Sequence, residues 1–157
     1  MDFQLPEHCK IVEALEPATD AAGRTGDYVS LKNAIRAWLV LHITQGNAAT
    51  IAISLSEATA VLPTAAQVCP GLVDIWSNLD CAATDTLVKR TAAANYTTDA
   101  GVKHKIVIFE IKPATLSSGF DCVAAVTGAS NAANITEAQW VIQEAYPQAT
   151  PPSAILD

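Results

Sequence analysis

The residue that most suggests chemistry is Cys122, in the stretch SSGFDCVAAVTG at residues 117–128, where a Ser-Ser-Gly turn signal runs into an apolar segment. A cysteine presented at a turn acts as a nucleophile when a base and oxyanion donors stand beside it. The alternation of the segment places Cys122 with Phe120, Ala124 and Val126, opposite Asp121 and Thr127. That predicts a thiol pointing into the core, with a raised pKa and little reactivity. No Gly-x-Ser-x-Gly elbow occurs, and Ser117 and Ser118 before a glycine read as a turn between strands. Gly23-Arg-Thr-Gly26 lacks the Lys-Ser/Thr of a phosphate-binding loop and precedes a strand.

Metal chemistry needs Cys or His donors in close pairs, about two to four residues apart. Cys69 and Cys81 are too widely spaced, His8 and Cys9 are adjacent, and His42 and His104 sit inside strand patterns. No metal ligand and no cofactor is therefore expected. The cysteines at 9, 69, 81 and 122 are expected to be free thiols, mostly buried. Asp74 with Asp80, and Asp85 with Asp99, are the available carboxylate pairs, but an acidic β protein offers such pairs without catalysis. The expectation is that the chain is not an enzyme. Trp38, Trp76 and Trp140 are the right residues for a sugar-stacking platform, although each lies among aliphatic neighbours, which favours packing.

The elements that position these residues are strands. In AIRAWLVLHIT, Ile35, Ala37, Leu39, Leu41 and Ile43 share one face, and Arg36, Trp38, Val40 and His42 the other. TIAISLS repeats the pattern with Ile51, Ile53 and Leu55, and the Gly46-Asn47 turn between them predicts a hairpin. KHKIVIFEIK sets Val107, Phe109 and Ile111 against Ile106 and Ile108. Apolar residues on both faces predict a strand covered on both sides or lying at an oligomer contact. FDCVAAVT, QWVIQEAY, CKIVEAL, DYVSL, LVDIW and TLVKR supply further strands. About eight to nine short strands separated by turn clusters predict an all-β, single-domain β-sandwich or jelly-roll-like fold with extended termini. At most one short helix is expected, near residues 57–68 or 91–96. The division is an N-terminal arm at 1–10, a sandwich at 11–146 and a C-terminal tail at 147–157.

At 157 residues, half of them apolar but only 6% aromatic, the chain supports one core built from aliphatic side chains. A formal charge of −7 argues against a nucleic-acid partner, and no basic amphipathic helix or run of ~18 apolar residues suggests a membrane. The start MDFQLPEHCK has no signal-peptide pattern. The apolar residues in MDFQLP and PPSAILD make Phe3, Leu5, Pro6, Ile155 and Leu156 the candidates for a partner interface.

Three blocks carry a resemblance: GDYVSLKN at 26–33, TIAISLSEAT at 50–59 and GFDCVAAV at 119–126. Together they resemble small virion structural proteins of tailed bacteriophages, of the head decoration, cement or minor capsid type. Residues 61–100 and the tail after Tyr146 match no part of that pattern. The resemblance implies a non-catalytic protein on the capsid, bound to the major capsid protein and to itself as a homo-oligomer such as a trimer. It also implies a place in the virion, assembled in the bacterial host cytoplasm. The alternatives are a tail or neck component and a carbohydrate-binding sandwich.

Overall fold

The computed structural model describes residues 3–146 and 155–157. The first half comprises a four-residue helix α1 (Leu5–His8) and strands β1 (Cys9–Thr19), β2 (Arg24–Thr25), β3 (Val29–Ser30), β4 (Ala34–Gln45), β5 (Ala52–Ala58) and β6 (Ala66–Val68). The second half adds β7 (Asp74–Asn78), β8 (Val88–Lys89), β9 (Asn95–Thr97), β10 (His104–Ile111), a 3-10 turn at Pro113–Thr115, β11 (Cys122–Thr127) and β12 (Asn134–Glu144). All the pairings are antiparallel. One sheet, here sheet A, runs β1-β12-β4-β10-β7-β8; sheet B runs β2-β11-β5-β6, with β3 also on β11 and β9 also on β5. The fold is an all-β sandwich. The twelve strands among the described residues exceed the number read from alternation because β2, β6 and β9 have two or three residues each, too few to show a period.

The strands form where the pattern places them. In β10, Val107, Phe109 and Ile111 are fully buried and Ile106 and Ile108 are half-buried on the other side. In β4 the inward set is Ala37, Leu39, Leu41 and Ile43. These meet Ile53 and Leu55 of β5 and Val123 and Ala125 of β11 in one continuous core, with Trp140 and Ile142 of β12. Each such large side chain contributes about 1.5–3 kcal/mol on leaving water.

Two expectations are corrected. The segments expected to make a hairpin, β4 and β5, do not pair: β4 lies between β12 and β10, and β5 lies beside β11 in the opposite sheet. The loop between them crosses the sandwich, so that Leu39, Leu41 and Ile43 face Ile53 and Leu55 across the core. Alternation specifies which face of a strand is buried, and an arch buries both faces as well as a hairpin does. The loop is held by side chains instead of by ladder bonds: Asn134 Nδ2 donates to the Ala49 carbonyl at 2.8 Å, and its Oδ1 accepts from the Asn47 amide at 2.8 Å. The α-helix lies at neither 57–68 nor 91–96, which hold β6 and β9. It occurs at Leu5–His8, where Pro6 occupies the first turn and supplies a fixed φ without a needed donor.

The edge strand β1 is irregular, with register shifts between Glu13 and Leu15 and between Leu15 and Ala18. Pro17 lies in the second irregularity. Its missing amide is tolerated because it falls at a bulge of an edge strand. Next to it, Gly26 approaches the backbone of β1 so closely that a Cβ would lie 1.8 Å from the Ala14 carbonyl oxygen. Gly26→Ala is expected to lower stability by about 2 kcal/mol, because rigid backbone on both sides must move apart. Thermal unfolding followed by circular dichroism checks this.

The C-terminal residues 155–157 close one side of the sandwich. Ile155 joins the core, the Ser30 amide donates to the Leu156 carbonyl at 2.9 Å, and Lys10 Nζ donates to the Ile155 carbonyl at 2.8 Å and pairs with Asp157. Residues 1–2 of the arm and 147–154 of the tail lie outside the described residues.

Candidate functional site

Cys122 is buried, at 2% exposure, but on the outer side of sheet B. Its partners there are Tyr28, Ala58 and Ala124, a small cluster separate from the main core. The main core takes Val123 and Ala125, the other set of the alternation. Both sets are apolar, so the pattern could not choose between them. Burial pushes the thiol up to about 12, helped by Asp121, whose Oδ1 accepts its hydrogen bond at 3.2 Å. Cys9, Cys69 and Cys81 are also free thiols pushed up by burial, and Cys81 is the one not fully buried.

The other candidates for chemistry are dispersed. Among the described residues no three His, Cys, Asp or Glu side chains converge. His8 stacks on Phe3, His42 Nδ1 lies 3.3 Å from Glu137, and His104 Nδ1 lies 3.2 Å from Thr44 Oγ1. Three of the four carboxylates singled out are drawn to separate lysines, Asp74 to Lys89 at 3.0 Å, Asp80 to Lys103, and Asp99 to Lys105, and Asp85 is in none of these pairs. Trp140 is fully buried in the core. Trp38 and Trp76 stand half-buried on the outer face of sheet A, with the Arg36 guanidinium 5.8 Å from one ring and the Lys89 ammonium 5.5 Å from the other.

What the fold does concentrate is exposed apolar surface. The strand register defines one end of the sandwich: the starts of β1, β4, β7 and β11 and the finishes of β5, β10 and β12. Among the described residues, seven of the thirteen exposed large apolar side chains belong to this end. Phe3 and Leu5 come from α1 and the residues before it, Ile35 from the start of β4, and Leu62 from the loop after β5. Leu72 precedes β7, Tyr146 follows β12 and Leu156 comes from the C-terminal strap. Leu62 is 83% exposed and Phe3 67%. Isolated exposed leucines are ordinary, but several drawn from distant segments to one end are not.

Of the interface candidates, Phe3, Leu5, Pro6 and Leu156 are exposed on this end, whereas Ile155 is 2% exposed and serves the chain's own core. Leu156, the next residue, is 62% exposed. Ile35, Leu62, Leu72 and Tyr146 were missed as site residues. Each ends or begins a strand pattern, and only the three-dimensional arrangement brings them to one side. Beneath them the buried Glu144 has neither carboxylate oxygen hydrogen-bonded.

No protein-family model matches the chain, and no curated protein matches it. Among solved structures, the crystal structure of SPBc2 prophage-derived protein YomS is similar at 9% identity, covering 91% of this chain and 99% of that one with a TM-score of 0.48. A structure of desmodium yellow mottle tymovirus aligns over 96% of this chain and 97% of that one at 8% identity, with a TM-score of 0.17.

Proposed function

We propose that the chain is a non-enzymatic structural protein of a phage virion, a head decoration or cement protein that binds the major capsid protein and stabilises the assembled shell. The observation that carries this reading is the apolar end of the sandwich. A small rigid domain presenting Phe3, Leu5, Leu62 and Leu156 from both termini and one loop is suited to docking on another protein surface. The resemblance of residues 26–33, 50–59 and 119–126 to small virion proteins supplies the kind of partner. Many copies on one particle turn modest individual contacts into strong retention, and binding only the assembled shell stabilises it by mass action. The chain then belongs in the virion, assembled in the host cytoplasm, with no cofactor, nucleic acid or membrane among its partners.

The test is co-sedimentation with capsids of the phage whose genome encodes the chain. A triple variant Phe3→Asp, Leu5→Asp, Leu156→Asp, all at exposed positions, is expected to keep the wild-type melting curve and to lose at least about tenfold in capsid affinity. Equal binding of wild type and variant would overturn the docking end. Finding the chain in purified tails but not in heads would move it to the tail or neck.

A further inference from the structure

The outer face of sheet A is a second surface, and its residue order is self-complementary. One row of side chains crosses all six strands, each directly opposite the next: Glu13, Gln139, Val40, Ile108, Trp76, Lys89. The row is acidic at its β1 edge, basic at its β8 edge and apolar at its centre. Above and below the row, Ile106, Trp38 and Val141 continue the apolar centre beside His42 and Glu110, the latter paired with Arg36 at 2.9 Å. An outer face of an antiparallel sandwich is ordinarily polar where it meets water.

We propose that this face pairs with the same face of a second copy of the chain, about a two-fold axis that lies in the contact plane and runs along the strands between β4 and β10. That axis reverses the row. Glu13 then meets the partner's Lys89, Gln139 meets the partner's Trp76, and Val40 meets the partner's Ile108. Shape supports the same register. The bulges of β1 leave a hollow of about 360 Å3 on this half of the face, with Ile11, Glu13, Val40 and Gln139 in its lining. The two-fold brings over that hollow the stacked Trp76 and Lys89, the bulkiest pair of the row. Lys89 already sits 3.0 Å from Asp74, so Glu13 arrives as a second carboxylate on the same ammonium.

Six strands about 4.8 Å apart give a face about 24 Å wide, and three rows bury on the order of 1,000 Å2 in total, the lower limit for a specific contact. The pair is therefore reversible. A foreign partner would have no reason to match a row that complements itself in reverse order. This contact lies on the face of sheet A, away from the apolar end, and does not depend on the virion reading.

Sedimentation equilibrium over a concentration series tests it. Wild type is expected to dimerise; Glu13→Lys and Lys89→Glu are each expected to weaken association about tenfold, and the double exchange to return it to within about threefold of wild type. Ile108→Asp is expected to be monomeric with an intact far-ultraviolet circular dichroism spectrum. A wild type that stays monomeric to about 1 mM, single variants that dimerise like wild type, or a double exchange as weak as the singles would each overturn the proposal. The Phe3, Leu5, Leu156 triple variant is expected to dimerise normally, so failure of the pair and failure of the docking end are read separately.

Discussion

Lys105→Ala is expected to lower the unfolding free energy by about 4 kcal/mol, seen as a lower urea midpoint with an unchanged slope. Lys105 is fully buried, on the inward face of β10 beside Gln45 of β4. Its ammonium donates to Gln45 Oε1 at 2.8 Å and to the Asp99 carbonyl at 3.0 Å, and it pairs with the Asp99 carboxylate. The network continues: Thr98 Oγ1 donates to Gln45 Oε1 at 3.0 Å and accepts from the Ile51 amide at 3.0 Å. One lysine thus fastens β10, β4, the crossing loop and the loop before β10. Alanine leaves a cavity the length of the stem and removes the charge-assisted bonds together. Lys105→Met keeps most of the stem volume and is expected to cost about half as much. Equal losses for the two variants would show that the ammonium, and not the packing, holds this corner.

Glu57→Ala is expected to cost about 3 kcal/mol at neutral pH and to remove part of the acid sensitivity of the fold. Glu57 is fully buried at the end of β5. Burial pushes its carboxyl up, but donors outweigh that: the Ser117 amide at 2.9 Å and Gln67 Nε2 at 2.7 Å hold it below the usual carboxylate range. Asp99 is likewise held low, by Lys105 first, though half its side chain is in water and its share is smaller. Both groups bind protons less readily folded than unfolded. Their contribution is complete above the unfolded carboxylate range and is lost as pH falls through the lower folded values. Unfolding free energy measured in urea is expected to be level from pH 8 to about pH 5 and to fall below about pH 4. The slope in that acid region should be shallower for Glu57→Ala. An unchanged slope would mean that the variant lost packing and no ionic stabilisation.

The parts of the fold legible from residues are those in which one face is apolar and the choice of face has no rival. Ala37, Leu41 and Ile43 of β4, opposite Arg36 and His42, are of this kind, whereas β10 is apolar on both faces and its half-buried Ile106 and Ile108 mark the outer face of sheet A. Neighbour relations were not legible. A period of two assigns Leu41 and Ile53 to buried faces without stating whether their strands lie side by side or across the core, and the structure places them across. Cys122 and Val123 show the same limit, because small apolar residues fill both faces of β11. Of the apolar end, Phe3, Leu5 and Leu156 could be read as terminal hydrophobics, while Ile35, Leu62 and Tyr146 acquire meaning only from the register that aligns the strand ends. The hollow in sheet A was not legible, because the strand pattern CKIVEAL ends at Leu15, short of Pro17 and the second irregularity of β1.

The place of β12 has a consequence for how the chain comes to be folded. It is inserted between β1 and β4, pairing residues 134–144 with strands that begin at Cys9 and Ala34. During synthesis those two strands leave the ribosome with no neighbour between them, and sheet A cannot close until β12 has emerged. Such long-range pairing makes folding slow, on the order of milliseconds to seconds, and leaves strand edges open in the meantime. The half-finished chain is thus the form most in need of chaperone cover.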